Sequence, residues 1–591
     1  MTETTGARIG ADLFVDALEQ YGVEHVFGNP GTTELPVMNA LSGSDLEYVL
    51  GLHEDIAVGA AAGYATTRRY HADDATESEG AVGPGGSGVN PVGVVNLHLA
   101  PGTAHGLGNL YAAMVAGAPL VVTAGNHSTD FRHEEPALSG DLVDLADPFT
   151  KWSAEVLDVE TLPTMLRRAF RVALTPPTGP VFLALPLDVT MAETDATPER
   201  LGPIPSAGRG DAAKIDRAAD LLVDADEPAL IVGDGVARAG TDAIDAAVDF
   251  AEAAGCRVHG EILTSEVNFP GSHDHWASYV PPDEDLAART MDADTLVFVG
   301  TSTNTTLVSH DDALVDPETT CIHVGDDPWE LGKNRPADAA VIGDPGEVLA
   351  DLATRLEDRL DPETRRDRLE SIRDWRANVD VSLEDTVGSV GDDEGESERD
   401  GGEADDEGAH PSKIRLVEEL RETVPDPYVV DEGVTSKYAL MSNWPFEAQG
   451  FVSNKGGGLG YGLPAAVGAA IAEAERDEPQ NVVGFVGDGS YLYYPHALYT
   501  AARNDVDLTV VVSDNQNYRI LKDNMEKQFG GDDGDHEFVG MDFEPSVDLV
   551  ANAESHGAAA ERVDDPDAIR PAIERAIERD GPSVVDVLVH D

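Results

Sequence analysis

Three times along this 591-residue chain, short apolar runs rich in β-forming residues alternate with Ala-rich stretches of helical composition. This alternation constrains the fold more than any other feature. A strand that is apolar on both faces has to be covered on both, and a helix connecting two parallel strands supplies that cover. The runs HVFGNP, VGVVNLH, PLVVTAG and PVFLALP mark the first segment, with EDIAVGAAAGYATTRR among the helical stretches between them. ALIVGDG, TLVFVGT and CIHVGDD mark the second, and PYVVDEG, NVVGFVGDGS, DLTVVVSDN and PSVVDVLV the third. The pattern predicts an α/β protein of three doubly wound parallel-sheet domains, at 1–195, 205–360 and 412–591. Two low-complexity stretches interrupt it. The segment at 71–90 has the Gly, Ser and acidic composition of an exposed loop. The segment at 385–411 has almost no large apolar residue, buries nothing to offset its ordering entropy, and reads as a disordered acidic linker.

Acidic residues outnumber basic ones 111 to 39, for a formal charge of −72. They are spread over the whole chain, which favours a halophilic surface, hydrated by carboxylates and screened by a salt-saturated cytoplasm, over capture of a basic partner. Nucleic acid is not an expected partner, because binding it needs a basic patch to displace phosphate counterions. No apolar run approaches the roughly 18 residues of a membrane span. The sequence MTETTGARIGADLFVDALEQ shows no basic start followed by an apolar run, so a cytoplasmic location is expected. Cys256 and Cys321 have no partners at metal-ligand spacing, and neither a disulfide scaffold nor a zinc site is expected.

The chemistry concentrates in a few turns. Gly487-Asp488-Gly489-Ser490 follows the apolar run NVVGFV. A carboxylate at a strand's C-terminal end, in a glycine turn that opens a helix, can hold a divalent cation against a phosphate. A second apolar run ends at Asn515, 27 positions after Asp488. That spacing fits a strand–helix–strand crossover, which brings both strand ends to one sheet edge. Asp488, the amide oxygen of Asn515 and the backbone carbonyl of Asn517 can then share one hard cation, taken to be Mg²⁺. Upstream, SNKGGGLGYGLPAAVGAAIAEAE reads as a glycine turn entering an Ala-rich helix, and LHEDIAVGAAAGYA puts Glu54 at a helix start after a strand.

The GDG with its downstream Asn resembles the diphosphate-binding motif of the thiamine-diphosphate (ThDP) enzyme superfamily, with Asp514 standing where the family has the first of two asparagines. GNPGTTELP (28–36), LHEDIAVGAAAGYA (52–65), VNLHLAPGT (95–103) and VTAGNHST (122–129) occur in the order and spacing of its benzoylformate decarboxylase branch, and the resemblance covers nearly the whole chain. It implies a pyrimidine-binding domain, a Rossmann-like middle domain and a diphosphate-binding domain, with ThDP and Mg²⁺ as cofactors. Glu54 becomes the carboxyl group on N1′ of the aminopyrimidine, with a raised pKa, favouring the imino tautomer that generates the C2 ylide. His98 becomes the group that polarises the substrate carbonyl and protonates the enamine. Thr32 replaces a serine that meets the substrate carboxylate, and Leu459 is the wedge beneath the cofactor. Gly458 supplies a backbone contact, and Thr435, Gly489 and Ser490 lie against the diphosphate. His310 is the nearest candidate for a second catalytic histidine.

The resemblance implies a lyase decarboxylating a 2-oxo acid, assembled as a homodimer or homotetramer with active sites between chains. Asn126-His127-Ser128, where pyruvate decarboxylases carry a His-His pair, argues against that branch. An acetolactate synthase-type carboligase stays open as an alternative, as does a non-catalytic ThDP-fold protein. FAD in the middle domain also stays open, although the glycines at 233, 235 and 240 miss the usual dinucleotide spacing. A nicotinamide dehydrogenase would rest on those glycines alone.

Overall fold

The computed structural model describes residues 8–74, 89–302, 305, 309–310, 312–378, 410–531 and 533–590. Most of 71–90 and nearly all of 385–411, the expected loop and linker, lie outside the described residues. The described chain forms three six-stranded sheets, each wholly parallel. The first holds β1 (His25–Gly28), β2 (Glu47–Leu50), β3 (Gly93–His98), β4 (Leu120–Asn126), β5 (Trp152–Glu155) and β6 (Val181–Pro186), in the order β2-β1-β3-β4-β6-β5. The second holds β7 (Pro228–Val232), β8 (Arg257–Gly260), β9 (Trp276–Tyr279), β10 (Thr295–Val299), β11 (Thr320–Gly325) and β12 (Ala339–Ile342). Its order, β12-β11-β10-β7-β8-β9, is that of a dinucleotide-type doubly wound sheet. The third holds β13 (Tyr428–Glu432), β14 (Phe451–Ser453), β15 (Val482–Gly487), β16 (Leu508–Asp514), β17 (Ala559–Val563) and β18 (Pro582–Leu588). Its order, β14-β13-β15-β16-β18-β17, repeats that of the first sheet strand for strand.

The strands expected from sequence are the inner ones. Every residue of β4, β6, β7, β10 and β16 is buried, as central parallel strands require. The strands not expected, β2, β5, β8, β9, β12, β14 and β17, include both edges of every sheet. None is longer than five residues, and β2, β5, β9, β12 and β17 are only partly buried. No helix among the described residues is long and apolar enough to cross a membrane.

The first and third domains meet through two helices, Glu54–Asp74 and Gly462–Glu473, whose facing sides are almost entirely alanine and glycine. A Cβ built on Gly468 would overlap the carbonyl oxygen of Ala60 and stand 2.8 Å from the backbone nitrogen of Tyr64; one on Gly63 would overlap the carbonyl of Ala465. The helices therefore touch backbone to backbone. The middle domain is tied in by buried charge. Lys455 Nζ pairs with Asp234 and, at 2.6 Å, with Glu261, all three side chains being almost wholly buried. Burial alone would raise the Asp234 carboxyl, but Lys455 and the Ser265 hydroxyl beside it hold it well below the usual range. Arg69 and the Tyr70 hydroxyl, from the first domain, both bond Glu266.

Alanine normally favours a helix over glycine by about 1 kcal/mol. Gly468→Ala should do the reverse here and destabilise by about 3 kcal/mol or more, because the neighbouring backbone cannot yield. Denaturant unfolding of the variant against wild type checks the sign.

Candidate active site

The C-terminal ends of parallel strands, where crossover loops diverge, form the ligand-binding edge of such sheets. In the third domain the loops after β13, β15 and β16 enclose a small cleft of about 60 Å³. Thr435, Leu459, Asp488, Gly489, Ser490, Asn515 and Asn517 all line it. Gly458 does not; its carbonyl accepts a hydrogen bond from the Asn454 amide at 2.6 Å, and Gly457 faces the adjoining cavity instead. Asp488 opens a short helix directly from β15, and Asn515 follows the last residue of β16 on the adjacent strand.

Oδ2 of Asp488 is buried and, among the described residues, meets no hydrogen-bond partner. Burial pushes the Asp488 carboxyl up to about 6. Asp514 rises to about 6 and Asp586 to about 7, each mainly by burial and next by the neighbouring carboxylate. Asp514, the departure from the family pattern, does not line the cleft; its Oδ1 accepts the Gln516 N–H at 3.0 Å. An orphaned carboxylate oxygen with amide oxygens beside it is a donor set suited to a hard divalent cation such as Mg²⁺.

Leu459 also lines a second cavity, of about 500 Å³, walled by Ile262, Tyr279 and Pro281 of the middle domain and by Tyr493 and Tyr518 of the third. The wedge residue thus stands where an apolar chamber meets the cleft that carries Asp488, Asn515 and Asn517, an arrangement that fits a ligand with a ring system at one end and a diphosphate at the other. Its loop is held by Glu432, a residue the sequence reading missed. The Glu432 carboxylate accepts N–H bonds from Gly460, Tyr461 and Gly462 at 3.2, 3.3 and 2.9 Å, satisfying the start of the helix Gly462–Glu473. Burial raises its carboxyl to about 7. Val434 and Gln516 carry positive φ of 53° and 59° on either side of this cleft, a conformation that a β-branched residue adopts only under constraint.

The first domain contributes the other group of residues. Glu54 begins its helix just after β2 and is nine-tenths buried, with Oε1 packed over Gly102. His98 ends β3, with its Cβ packed against the same glycine. His98 Nδ1 lies 2.8 Å from Glu34 Oε2 and 3.2 Å from the Thr33 hydroxyl. Glu34 is buried and also accepts the Gly31 N–H and the Thr33 hydroxyl. A Cβ at Gly31 would overlap the His98 ring, so that glycine is needed for the ring to lie where it does. Thr32, the expected substrate contact, is exposed on the same short helix. Two further histidines surround Glu54. His105 Nδ1 lies 3.2 Å from its Oε2, and His53 stacks on His105 with centroids 5.1 Å apart. Neither was singled out in the sequence; HE in LHEDIA and TAH in LAPGTAHG were the available signals. His310 is half-buried, with Nδ1 2.7 Å from the Asp312 carbonyl, and lines neither cavity. Glu54 and His98 line neither cavity as well.

Models of the N-terminal thiamine pyrophosphate (TPP) binding, central and C-terminal TPP binding domains of thiamine pyrophosphate enzymes match residues 8–147, 215–352 and 433–587. The chain is 27% identical to benzoylformate decarboxylase of Pseudomonas aeruginosa, over 97% of each protein. It is 26% identical to the acetolactate synthase isozyme 2 large subunit of Escherichia coli, over 98% of this chain and 96% of that one. A solved thiamine diphosphate-dependent 4-hydroxybenzoylformate decarboxylase of Rhodococcus jostii superposes with a TM-score of 0.79 at 27% identity, covering 99% of each chain.

The raised Asp586 carboxyl gives a signed pH dependence. A carboxyl whose folded pKa exceeds its unfolded value of roughly 3.9 keeps more protons in the native state, so its contribution to stability falls as pH rises between the two. In metal-free protein that window runs from about 4 to about 7. The thermal midpoint of wild type should therefore drop by a few degrees more than that of Asp586→Asn between those pH values. Parallel curves would refute the assignment.

Proposed function

The chain belongs to the thiamine pyrophosphate enzyme family, and we propose that within it the protein is a Mg²⁺-dependent decarboxylase of a 2-oxo acid, similar in activity to benzoylformate decarboxylase. The observation that carries this reading is His98, an imidazole fixed by a buried carboxylate beside Glu54 at the ligand-binding edge. Thiamine diphosphate, when bound, supplies the nucleophilic carbon and the electron sink that the loss of CO₂ requires. The chain supplies position and protons. Asp488, Asn515 and Asn517 would hold Mg²⁺ against the diphosphate, and Leu459 would set the angle between the cofactor's rings. Glu54 exchanges a proton at N1′ of the pyrimidine.

His98 gives its Nδ1 hydrogen to Glu34, which leaves Nε2 to carry the working proton. Nε2 could deliver a proton to the carbon that has lost CO₂, and the neutral imidazole left behind could take up the hydroxyl proton as the aldehyde leaves. Thr32, a hydroxyl on the exposed face of the same turn, is placed to meet the substrate carboxylate. The carboligase reading is kept by one observation. A cavity of about 500 Å³ has room for a second 2-oxo acid.

The separation of Glu54 from both cavities of its own chain supports a site completed between two copies. Sedimentation in molar KCl should find a dimer or larger assembly, and an active monomer would contradict this. The direct test follows a panel of 2-oxo acids, pyruvate and benzoylformate included, by proton NMR with ThDP and Mg²⁺. An aldehyde product supports the decarboxylase, whereas a hydroxyketo acid moves the protein to the carboligases. Glu54→Gln should lower turnover at least about 100-fold while calorimetry still detects ThDP binding.

A further inference from the structure

Glu54 has a neighbour that the decarboxylation scheme does not use. His105 ends the helix Leu99–His105 and reaches across to the carboxylate, its Nδ1 3.2 Å from Oε2. The two side chains differ sharply in setting. Glu54 is 11% exposed, whereas His105 is 57% exposed, so the imidazole spans from a buried carboxylate to the open edge of the sheet. The bond is made to one carboxylate oxygen only; Oε1 lies on the other side, against Gly102. His53 supports the arrangement. Its ring stacks on His105 at 29°, and its Nδ1 accepts the Asp55 N–H at 3.1 Å, which fixes the ring against the start of the helix.

We infer that His105 is a positioning and proton-loading residue acting through Glu54. This rests on Glu54 exchanging a proton with the cofactor's pyrimidine. Glu54 must hold a proton before it can pass one to the ring, and its burial limits direct supply from water. His105 takes a proton from solvent at Nε2. The Nδ1–H bond then breaks as an O–H bond forms at Oε2, leaving a neutral imidazole and a carboxylic acid. The carboxyl passes this proton to the ring, and when the ring returns it the same path runs in reverse to solvent, so that no proton accumulates. The bond to Oε2 also holds the rotation of the carboxylate until the proton has passed, after which the Oε2–H is free to be handed on. The groups that bear on His105 are Glu54 and Asp55 from the helix start and His53 from the loop before it, with Tyr494 and His496 beyond His53.

The test begins without cofactor. Nitrogen NMR of the intact protein in molar KCl should show the His105 Nδ1 resonance, hydrogen-bonded to the carboxylate in wild type, moving when Glu54→Gln removes that carboxylate; an unchanged resonance overturns the contact. With ThDP and Mg²⁺ bound, deuterium exchange at C2 of the cofactor should slow at least about tenfold in His105→Ala. ThDP affinity by calorimetry should stay within about twofold, a fraction of 1 kcal/mol. Added imidazole should restore exchange in His105→Ala and leave wild type unchanged. Wild-type exchange in His105→Ala, or slow exchange that imidazole fails to restore, overturns the proton-loading role. Wild-type exchange in Glu54→Gln sinks the underlying reading instead, and separates the two failures.

Discussion

The backbone contact between the helices Glu54–Asp74 and Gly462–Glu473 sets the geometry on which the site depends. Both helices have alanine or glycine at the crossing, so the distance between the first and third domains is fixed by main-chain atoms and not by side chains that could repack. Each helix also begins at a functional turn. One starts with Glu54 itself, and the other starts where Glu432 collects three N–H groups and holds the loop that carries Leu459. A shift along this crossing would move the proton-exchanging carboxylate and the cofactor wedge together, which explains why the contact carries no flexible residues.

The middle domain is joined to this pair by charges that few proteins bury. Lys455 lies two residues before Gly457 and pairs with Asp234 and Glu261 across the domain boundary. Replacing buried ion pairs with apolar groups is often neutral for stability, so stability alone does not account for their presence. What they provide is direction. A lone buried ammonium costs several kcal/mol, so Lys455 has one satisfactory position, and the glycine loop after it is placed relative to the middle-domain wall of the cavity. Arg69 and Tyr70, about four turns along the Glu54 helix, add a second such constraint through Glu266.

How much of this was legible in the sequence follows from what each feature depends on. Inner strands such as β4 and β16 are buried on both faces and so read as continuous apolar runs. Edge strands such as β5 and β17 are short and half covered, and a run like WSAE or AAERV carries no such signal. Among site residues, Asp488 and Asn515 could be proposed from turns whose glycines and spacing are local, and Leu459 only from the family resemblance of its glycine loop. Glu34, Glu432, His53 and His105 could not, since their importance comes from partners brought in by folding: Glu34 serves a histidine 64 positions away. Thr33 shows the same limit at its finest. The sequence drew attention to Thr32, yet in the turn it is Thr33 that faces inward to His98, because a short helix turns adjacent residues to different sides.

The acidic cluster behind the cleft shows why a single substitution in a motif need not break it. Asp514, Asp488 and Asp586 crowd one sheet edge, with Arg562 paired to Asp586 at 2.7 Å and to Asp514 at 3.6 Å. Their burial raises all three carboxyls, which means the protein is penalised for ionising them, and a cation set against Asp488 would relieve that penalty. Asp514 turns its Oδ1 to the Gln516 N–H and stays out of the cleft wall, where Asn515 and Asn517 lie. An asparagine at 514 could make a similar bond to that N–H through its own side-chain oxygen, but it would carry no charge. The aspartate therefore alters the electric field at the cleft while leaving its lining, and the oxygen donors there, in place.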